Sequence, residues 1–257
     1  MTPDDLDARE AWNQGADAFV HFVESGADYH RLLVHGPALF AACGDVRGQQ
    51  ALDVGCGHGY FSRLLARAGA AVTGLDLSDR LIERAVAMET TESLGIDYLR
   101  GDAERLDEHF AADRFDLVTG CMSLQDTADP AAVLRGVARI LRGGGQAAFS
   151  VPHPCTDAPF REWKRDAMGK KLALCLDRYF DAGPAVCNWN MPRVKYPWRT
   201  PYRRHTLTQW SRMITAAGLV IRGLDEPRPG ADVVAARPEL ECSSRMPIYL
   251  IFVLAKA

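Results

Sequence analysis

The stretch ALDVGCGHGYF, residues 51–61, decides the fold. An apolar run leads there to an acid, Asp53, and three glycines follow at alternate positions, Gly55, Gly57 and Gly59. Glycine permits a tight turn and lets the backbone come close to a ligand. A strand that ends in such a turn and opens a helix is typical of nucleotide-binding α/β proteins. The alternative is that the glycines are purely structural.

The spacing of these glycines separates two classes of nucleotide-binding protein. The dinucleotide fingerprint is G-x-G-x-x-G, and it holds a pyrophosphate at the start of a helix. Here the pattern is G-x-G-x-G, and Asp53 lies two residues before its first glycine. A carboxylate beside the turn suits a ligand with a cationic amine better than one with phosphates. The pattern therefore argues against a nicotinamide dinucleotide.

Strand and helix patterns alternate along most of the chain. Five apolar segments between residues 50 and 151 predict strands: QALDV, AAVTGLDL, IDYLRGDA, FDLVTGCMS and GGGQAAFSV. Helical patterns lie between most of them, and Ser78 is expected to cap one of the helices. Later a helix, TLTQWSRMITAAG, precedes two further strands, LVIRGLDEP and MPIYLIFVLAKA. This alternation predicts a parallel sheet covered by helices on both faces.

Acids stand at the ends of the first three predicted strands, at Asp53, Asp76 and Asp102. Asp76 follows Gly59 by 17 residues. A carboxylate at that place can accept hydrogen bonds from both ribose hydroxyls of a nucleotide. A carboxylate at Asp102 can accept from the exocyclic amine of adenine. The alternative for Asp76 is that it merely precedes the N-cap of a helix.

Five motifs, in this order and spacing, resemble the class I S-adenosylmethionine-dependent methyltransferases: LDVGCGHG, VTGLDLS, GDAERL, FDLVTGCMSLQD and ARILRGGGQAAFSV. The flanks DYHRLL, HP and RRHTLTQW resemble a bacterial subgroup that contains small-molecule methyltransferases. The resemblance implies an α/β fold with a Rossmann-like seven-stranded sheet. Six strands would be parallel and strand 7 antiparallel, with helices on both faces. It also implies S-adenosyl-L-methionine as cofactor and S-adenosyl-L-homocysteine as product.

The same resemblance assigns roles to residues at the strand ends. The glycines would cradle the methionine moiety, while Asp53 would help to fix the turn and the amine end. Asp76 would hold the ribose, and Asp102 would read adenine. The residues implied to bind the cofactor are Tyr29, Asp53, Gly55, Cys56, Gly57, Asp76, Leu77, Asp102, Ala103, Cys121 and Met122.

The resemblance divides the chain into a core with two additions. Residues 1–47 form an N-terminal helical cover, and residues 48–152 with 206–257 form the methyltransferase core. Residues 153–205 are expected to be a substrate-binding lid inserted between strands 5 and 6, because a plain core needs only a helix there. The insertion carries six large aromatic residues: Trp163, Trp189, Trp198, Tyr179, Tyr196 and Tyr202. These rings stack on a planar acceptor, attract the sulfonium of the cofactor by cation–π contact, or pack the lid onto the core.

The insertion is also basic. Its lysines and arginines outnumber its acids: Arg161, Lys164, Arg165, Lys170, Lys171, Arg178, Arg193, Lys195, Arg199, Arg203 and Arg204. Such residues would bind an anionic acceptor favourably. A solvated basic face is the alternative.

Methyl transfer mainly requires that the acceptor be aligned with the methyl group. A base is needed only when the acceptor must lose a proton. His153, His205 and Gln125 are the catalytic candidates, because they lie where an acceptor would arrive and histidine titrates near neutral pH. The alternatives are that His153 orders the Pro-His-Pro turn and that His205 caps the next helix. Asp126 either faces the pocket or helps the following helix to start.

Composition limits the other possibilities. The net charge of −3 gives no field for nucleic acid or anionic membrane, and no apolar run is long enough for a membrane helix. The seven cysteines include no C-x-x-C pair. This usage predicts reduced thiols in a cytoplasmic protein, and no metal site is expected.

The favoured hypothesis is an enzyme that methylates a small molecule at oxygen, nitrogen or carbon, in secondary metabolism. The acceptor would be aromatic or anionic, and the enzyme would be a monomer or homodimer without a nucleic-acid or membrane partner. The alternatives are an RNA or protein methyltransferase, and a catalytically silent S-adenosylmethionine-binding module. A nicotinamide-dependent oxidoreductase is a further alternative that the glycine spacing opposes.

Overall fold

A computed structural model describes residues 6–190, 194 and 196–257. The helices are α1 Ala8–Glu24, α2 Gly36–Ala42, α3 Tyr60–Arg67, α4 Asp79–Thr91, α5 Leu106–His109, α6 Pro130–Ile140, α7 Leu207–Ala216, α8 Ala231–Ala236 and α9 Glu241–Arg245. The strands are β1 Gln50–Val54, β2 Ala71–Asp76, β3 Asp97–Arg100, β4 Phe115–Cys121, β5 Leu141–Pro152, β6 Phe160–Arg165, β7 Lys171–Asp177, β8 Gly183–Trp189, β9 Trp198–Arg204, β10 Leu219–Asp225 and β11 Tyr249–Lys256. None of the described helices is long and apolar enough to cross a membrane.

Seven strands form the central sheet in the order β10-β11-β5-β4-β1-β2-β3. β11 runs antiparallel to both of its neighbours, and every other pair in the sheet is parallel. The predicted sheet of six parallel strands and one antiparallel strand is therefore confirmed. Leu250, Ile251 and Phe252 of β11 are almost fully buried. A strand inserted between two neighbours and covered on both faces needs such an unbroken apolar run.

The sheet separates two hydrophobic cores, one on each face. Side chains alternate along a strand, so adjacent residues of β4 enter opposite cores. Leu117 packs with Leu39, Phe61 and other residues on the side of α2 and α3. Val118 packs with Phe149 and Trp210 on the side of α6 and α7. The core region thus has helices on both faces, as the sequence predicts.

Side-chain caps start the helices that follow the strands. Ser78 accepts a hydrogen bond from the Leu81 N–H at 3.2 Å, which confirms it as the cap of α4. Asp129 caps α6, so the idea that Asp126 helps that helix to start is wrong. Thr206 caps α7 in a reciprocal pair with Gln209, so the suggested cap at His205 is also wrong. A side-chain oxygen at the N-cap satisfies a backbone N–H that the first turn leaves unpaired.

The segment between β5 and α7 folds into two antiparallel hairpins, β6–β7 and β8–β9, which the sequence pattern did not reveal. Trp189 and Trp198 lie opposite each other in the second hairpin, with ring centroids 4.8 Å apart and planes within 3°. Both rings contact Trp12 of α1 edge-on. A Cβ on Gly15 would lie 2.2 Å from the Trp198 indole. These tryptophans therefore pack the second hairpin onto α1, and glycine permits the close approach.

Two of the basic residues assigned to the insertion, Arg193 and Lys195, lie outside the described residues. Short helices also follow β10, where the sequence suggested none. They are α8, α9 and a 3-10 turn over Pro238–Leu240. This segment carries the chain from the edge strand β10 back to β11.

Candidate active site

A cavity of about 1110 Å³ lies at the carboxyl ends of β1 to β5. Open α/β sheets bind their ligands at this edge. The volume exceeds the roughly 300–1,000 Å³ of a typical site for one small molecule, so it has room for a cofactor and an acceptor. All eleven residues implied to bind the cofactor line this cavity, and Gln125 lines it as well. The candidate histidines His153 and His205 are not among the lining residues.

The glycine turn after β1 forms one wall of the cavity. The N–H of Gly55 donates to the Leu75 carbonyl at 2.7 Å, which ties the turn to β2. Gly55 has a φ of +66°, and a Cβ there would lie 2.4 Å from the Cβ of Ser123. Both the backbone conformation and the neighbouring loop therefore require glycine at this position.

We expect Gly55→Ala to destabilise the protein more than Gly44→Ala does. Both glycines have positive φ, but a Cβ at Gly44 would meet nothing within 4 Å. The two variants share the backbone strain, and only Gly55→Ala adds overpacking, which costs about 1–3 kcal/mol. Each kcal/mol lowers the Tm of a domain near this size by about 2–4 °C. Equal melting temperatures for the two variants would contradict the close contact with Ser123.

Asp53 connects three elements beneath the glycine turn. Its buried carboxylate accepts hydrogen bonds from the hydroxyls of Ser62 in α3 at 2.7 Å and Thr119 in β4 at 3.1 Å. Burial raises the pKa of Asp53 to about 6, although both hydrogen bonds oppose the shift. The carboxylate therefore holds the end of β1 in place, and it also lines the cavity.

Asp76 links the glycine turn to the start of α4. One carboxylate oxygen accepts from the Gly57 N–H at 2.7 Å, and the other accepts from the Ser78 N–H at 2.9 Å. Burial raises the pKa of Asp76, and these backbone hydrogen bonds oppose the shift. Each carboxylate oxygen can accept more than one hydrogen bond. Asp76 therefore retains the capacity to accept from ribose hydroxyls.

Asp102 occupies the corresponding place after β3. Its carboxylate accepts from the Glu104 N–H at 2.9 Å and so caps a short 3-10 turn over Ala103–Arg105. Asp102 and Ala103 line the cavity. The three strand-end acids thus surround one end of the cavity, which is called the cofactor end below.

The N-terminal segment covers this end with a charged cluster that the sequence analysis missed. The buried Arg31 pairs with Asp28 at 2.9 Å and donates to the Cys121 thiol sulfur at 3.2 Å. The rings of Tyr29 and His30 lie 4.9 Å apart and line the same cavity. The spacing of an acid and an arginine three residues apart in DYHR is the signal that could have revealed the pair.

The other end of the cavity is built by three segments, and it is called the acceptor end below because the sequence analysis expects the acceptor there. They are the 3-10 turn Leu124–Asp126 after β4, the loop and strand after β5, and the hairpin β8–β9. The polar and aromatic residues that line this end are Gln125, Asp126, Thr156, Asp157, Arg161, Cys187, Asn188, Trp189, Tyr202 and Arg203. Only the first of these was a catalytic candidate in the sequence.

Gln125 and Asp126 form a coupled pair at the acceptor end. The Gln125 amide donates to the Met122 carbonyl at 2.7 Å and to the Asp126 carboxylate at 3.2 Å. Its buried amide oxygen has no hydrogen-bond partner among the described residues. Burial raises the pKa of Asp126 well above its usual range, and the Gln125 hydrogen bond only partly opposes the shift. Asp126 is therefore a stronger base than an ordinary aspartate once it is ionised.

The structure does not bring the two candidate histidines to the cavity. The Nδ1 atom of His153 accepts from the Cys155 N–H at 3.2 Å, and its Nε2 atom pairs with Glu226 at 2.8 Å. Burial lowers the pKa of His153. With both ring nitrogens engaged, the geometry favours the alternative that His153 orders the turn after β5.

His205 lies against the ring of Trp210, with centroids 4.7 Å apart, and lines a separate small cavity. Burial lowers the pKa of His205 to about 4, so the ring is neutral at physiological pH. Among the described residues, no group of three or more histidine, cysteine or acidic side chains could hold a metal ion.

The sheet order and the acid-ended strands define a Rossmann-like α/β protein that binds a nucleoside-bearing cofactor. A family model described as a methyltransferase domain matches residues 52–149. An S-adenosylmethionine-dependent methyltransferase from Mesorhizobium loti is 32% identical, with a TM-score of 0.72, over 85% of this chain and 95% of that one. A putative one from Listeria monocytogenes is 26% identical, with a TM-score of 0.69, over 86% and 97% of the two chains.

Curated relatives agree with these structures. A ubiquinone biosynthesis O-methyltransferase from Pseudomonas fluorescens is 35% identical over 180 residues, which are 70% of this chain and 68% of the relative. Enzymes of the same name from Coxiella burnetii are 38% identical over 105 residues, so the match spans only 44% of their length. The chain belongs to the S-adenosylmethionine-dependent methyltransferases, and S-adenosylmethionine is its cofactor.

Proposed function

We propose that the protein transfers a methyl group from S-adenosylmethionine to a hydroxyl oxygen of a small organic molecule. The observation that supports this proposal is one cavity with two chemically different ends. Strand-end acids surround the cofactor end, while Asp126 and aromatic side chains line the acceptor end. The O-methyltransferases among the curated relatives support oxygen as the methylated atom. A place in secondary metabolism stays a prediction.

The residues at the cofactor end fit S-adenosylmethionine. This cofactor offers hydrogen-bond donors at its amine, its ribose hydroxyls and its adenine amine, and Asp53, Asp76 and Asp102 are acceptors that line the cavity. At Gly57 a Cβ would meet only the Phe19 ring, at 3.6 Å, so the missing side chain leaves space on the cavity wall. When bound, the cofactor supplies a methyl group already activated by its sulfonium.

The chain's own residues then have two tasks. The first is to hold the acceptor in line and to exclude water, for which the hairpin β8–β9 packs on α1 through Trp12, Trp189 and Trp198. We propose that the two hairpins act as the lid. The second is to remove the hydroxyl proton, for which the Asp126 carboxylate is the base. Gln125 is a positioning residue that holds this carboxylate through its amide.

Calorimetric titration with S-adenosylmethionine and, separately, with NADH tests the cofactor assignment. We expect binding of the first alone, because the glycine spacing and the strand-end acids suit an amine and hydroxyls rather than a pyrophosphate. A panel of phenols, alcohols and amines then tests the acceptor, with the added methyl group detected by mass spectrometry. Methylation confined to amines would contradict oxygen as the acceptor atom. Binding of NADH alone would contradict the whole proposal.

A further inference from the structure

The acceptor end contains carboxylates that already have local partners. Asp157 accepts a hydrogen bond from the Tyr202 hydroxyl at 3.3 Å and pairs with Arg204 at 3.8 Å. Asp126 accepts from the Gln125 amide at 3.2 Å. Burial raises the pKa of both Asp126 and Asp157, and the charges of Arg204 and Arg161 oppose the shift at Asp157. Asp157 is therefore already engaged by Tyr202 and Arg204, and Asp126 by Gln125.

Two arginines line the acceptor end without an ion pair among the described residues, although the charge of Arg161 favours the ionised form of Asp157. The guanidinium of Arg161 donates to the Thr156 carbonyl at 3.3 Å and makes no ion pair within the described part of the chain. Arg203 lines the same end. Its side chain makes neither an ion pair nor a hydrogen bond with any described residue. Arg31, at the cofactor end, is by contrast held by Asp28 and Cys121.

Other described arginines without an ion pair, such as Arg139 and Arg165, donate to backbone carbonyls and do not line the cavity. Many arginines that do not line the cavity form ion pairs, such as Arg9, Arg47, Arg67, Arg84, Arg142 and Arg245. At the acceptor end, a guanidinium without an ion pair is available to an anionic ligand. A guanidinium presents a planar fork of donors that matches a carboxylate.

The two arginines come from different hairpins. Arg161 is in β6 of the first hairpin, and Arg203 is in β9 of the second. Trp189 and Tyr202 of the second hairpin line the same end and offer aromatic faces to a planar molecule. A planar anion at this end can therefore contact both hairpins.

We propose that the acceptor is a hydroxylated aromatic carboxylate whose carboxylate group is bound by Arg161 and Arg203. This substrate class rests on the proposed O-methyl transfer. The aromatic ring lies among the aromatic side chains of the second hairpin, and the ring hydroxyl faces the base.

The test compares 3,4-dihydroxybenzoate with its neutral amide, 3,4-dihydroxybenzamide. Each is titrated by calorimetry into the protein saturated with S-adenosylhomocysteine. We expect the carboxylate to bind at least about tenfold more tightly than the amide, because a charge-assisted, bidentate contact is replaced by a neutral one. Arg161→Gln and Arg203→Gln should each abolish most of this preference, and Arg203→Lys should restore only part of it.

Lys164→Gln is the matched control. Lys164 is an exposed cation on β6, three residues from Arg161, and does not line the cavity. The Lys164→Gln variant should keep the wild-type preference for the carboxylate over the amide. The affinity of every variant for S-adenosylhomocysteine reports whether the protein is folded and whether the cofactor end is intact.

Several outcomes would overturn the proposal. They are equal affinity for the two ligands, no binding of either, and a preference that survives both glutamine variants. If S-adenosylhomocysteine still binds in these cases, the proposed methyl transfer is not contradicted. Failure of the wild-type protein to bind S-adenosylhomocysteine would instead reject the proposed function.

Discussion

Asp126→Asn is expected to lower kcat by about 10²–10⁴-fold, the usual contribution of a general base. Asparagine keeps the shape of the side chain but cannot accept the hydroxyl proton. The affinity for S-adenosylmethionine should stay close to that of the wild-type protein, because the strand-end acids at the other end of the cavity are unchanged. Turnover with the identified acceptor and calorimetry of cofactor binding measure the two effects separately.

The pH dependence gives a second, independent readout of the same role. Burial raises the pKa of Asp126, so its carboxyl is protonated at pH values where an ordinary aspartate is ionised. Because only the ionised form accepts a proton, kcat/KM should rise with pH through this raised pKa and fall at lower pH. Asp76, Arg31 and Asp157 add their charges to the environment of Asp126. This rise of kcat/KM with pH should disappear in Asp126→Asn.

Asp129→Asn provides the matched control. Asp129 is an exposed acid three residues further along the chain that caps α6 and does not line the cavity. Asparagine is as good an N-cap as aspartate, so neither stability nor turnover should change much. If Asp126→Asn keeps full turnover and the wild-type pH profile, Asp126 is not the base.

Asp76→Ala is expected to weaken S-adenosylmethionine binding by more than about tenfold. The carboxylate organises the glycine turn through the Gly57 N–H and the start of α4 through the Ser78 N–H. It is also the acceptor proposed for the ribose hydroxyls. Hydrogen bonds to a charged group contribute about 1.5–3 kcal/mol each, and about 1.4 kcal/mol corresponds to a tenfold change in affinity.

Calorimetry of Asp76→Ala beside Asp97→Ala measures this effect. Asp97 is an exposed acid at the start of β3, the strand beside β2, and does not line the cavity. It controls for the general loss of a negative charge, at the amino end of the neighbouring strand and away from the cavity. Unchanged affinity in Asp76→Ala would remove Asp76 from the cofactor site.

The placement of the cofactor residues could be predicted because it follows from strand geometry. Asp53, Asp76 and Asp102 are far apart in sequence, but each follows or ends a parallel strand. The carboxyl ends of parallel strands meet at one edge of the sheet, so the cavity there gathers all three. The cap at Ser78 was equally predictable, since a capping interaction spans only a few residues.

The acceptor end could not be predicted in the same way. His153 follows β5 at the expected place, but its ring pairs with Glu226, which directly follows β10 much later in the chain. Whether a side chain after a strand faces the cavity depends on such distant partners. Asp126 became a candidate base only when the structure placed it on the cavity wall and showed that Asp129 caps the helix.

The sequence by itself determined the α/β class, the family and the edge of the sheet where the cofactor binds. These properties rest on local signals: apolar strands, a glycine turn, helix caps and acids at strand ends. Only the tertiary structure decided that the insertion forms two hairpins, that Trp189 and Trp198 pack on α1 and that Arg161 and Arg203 line the cavity. The reason is physical, because the contacts of Trp12 with Trp189 and Trp198 join residues that no local pattern relates.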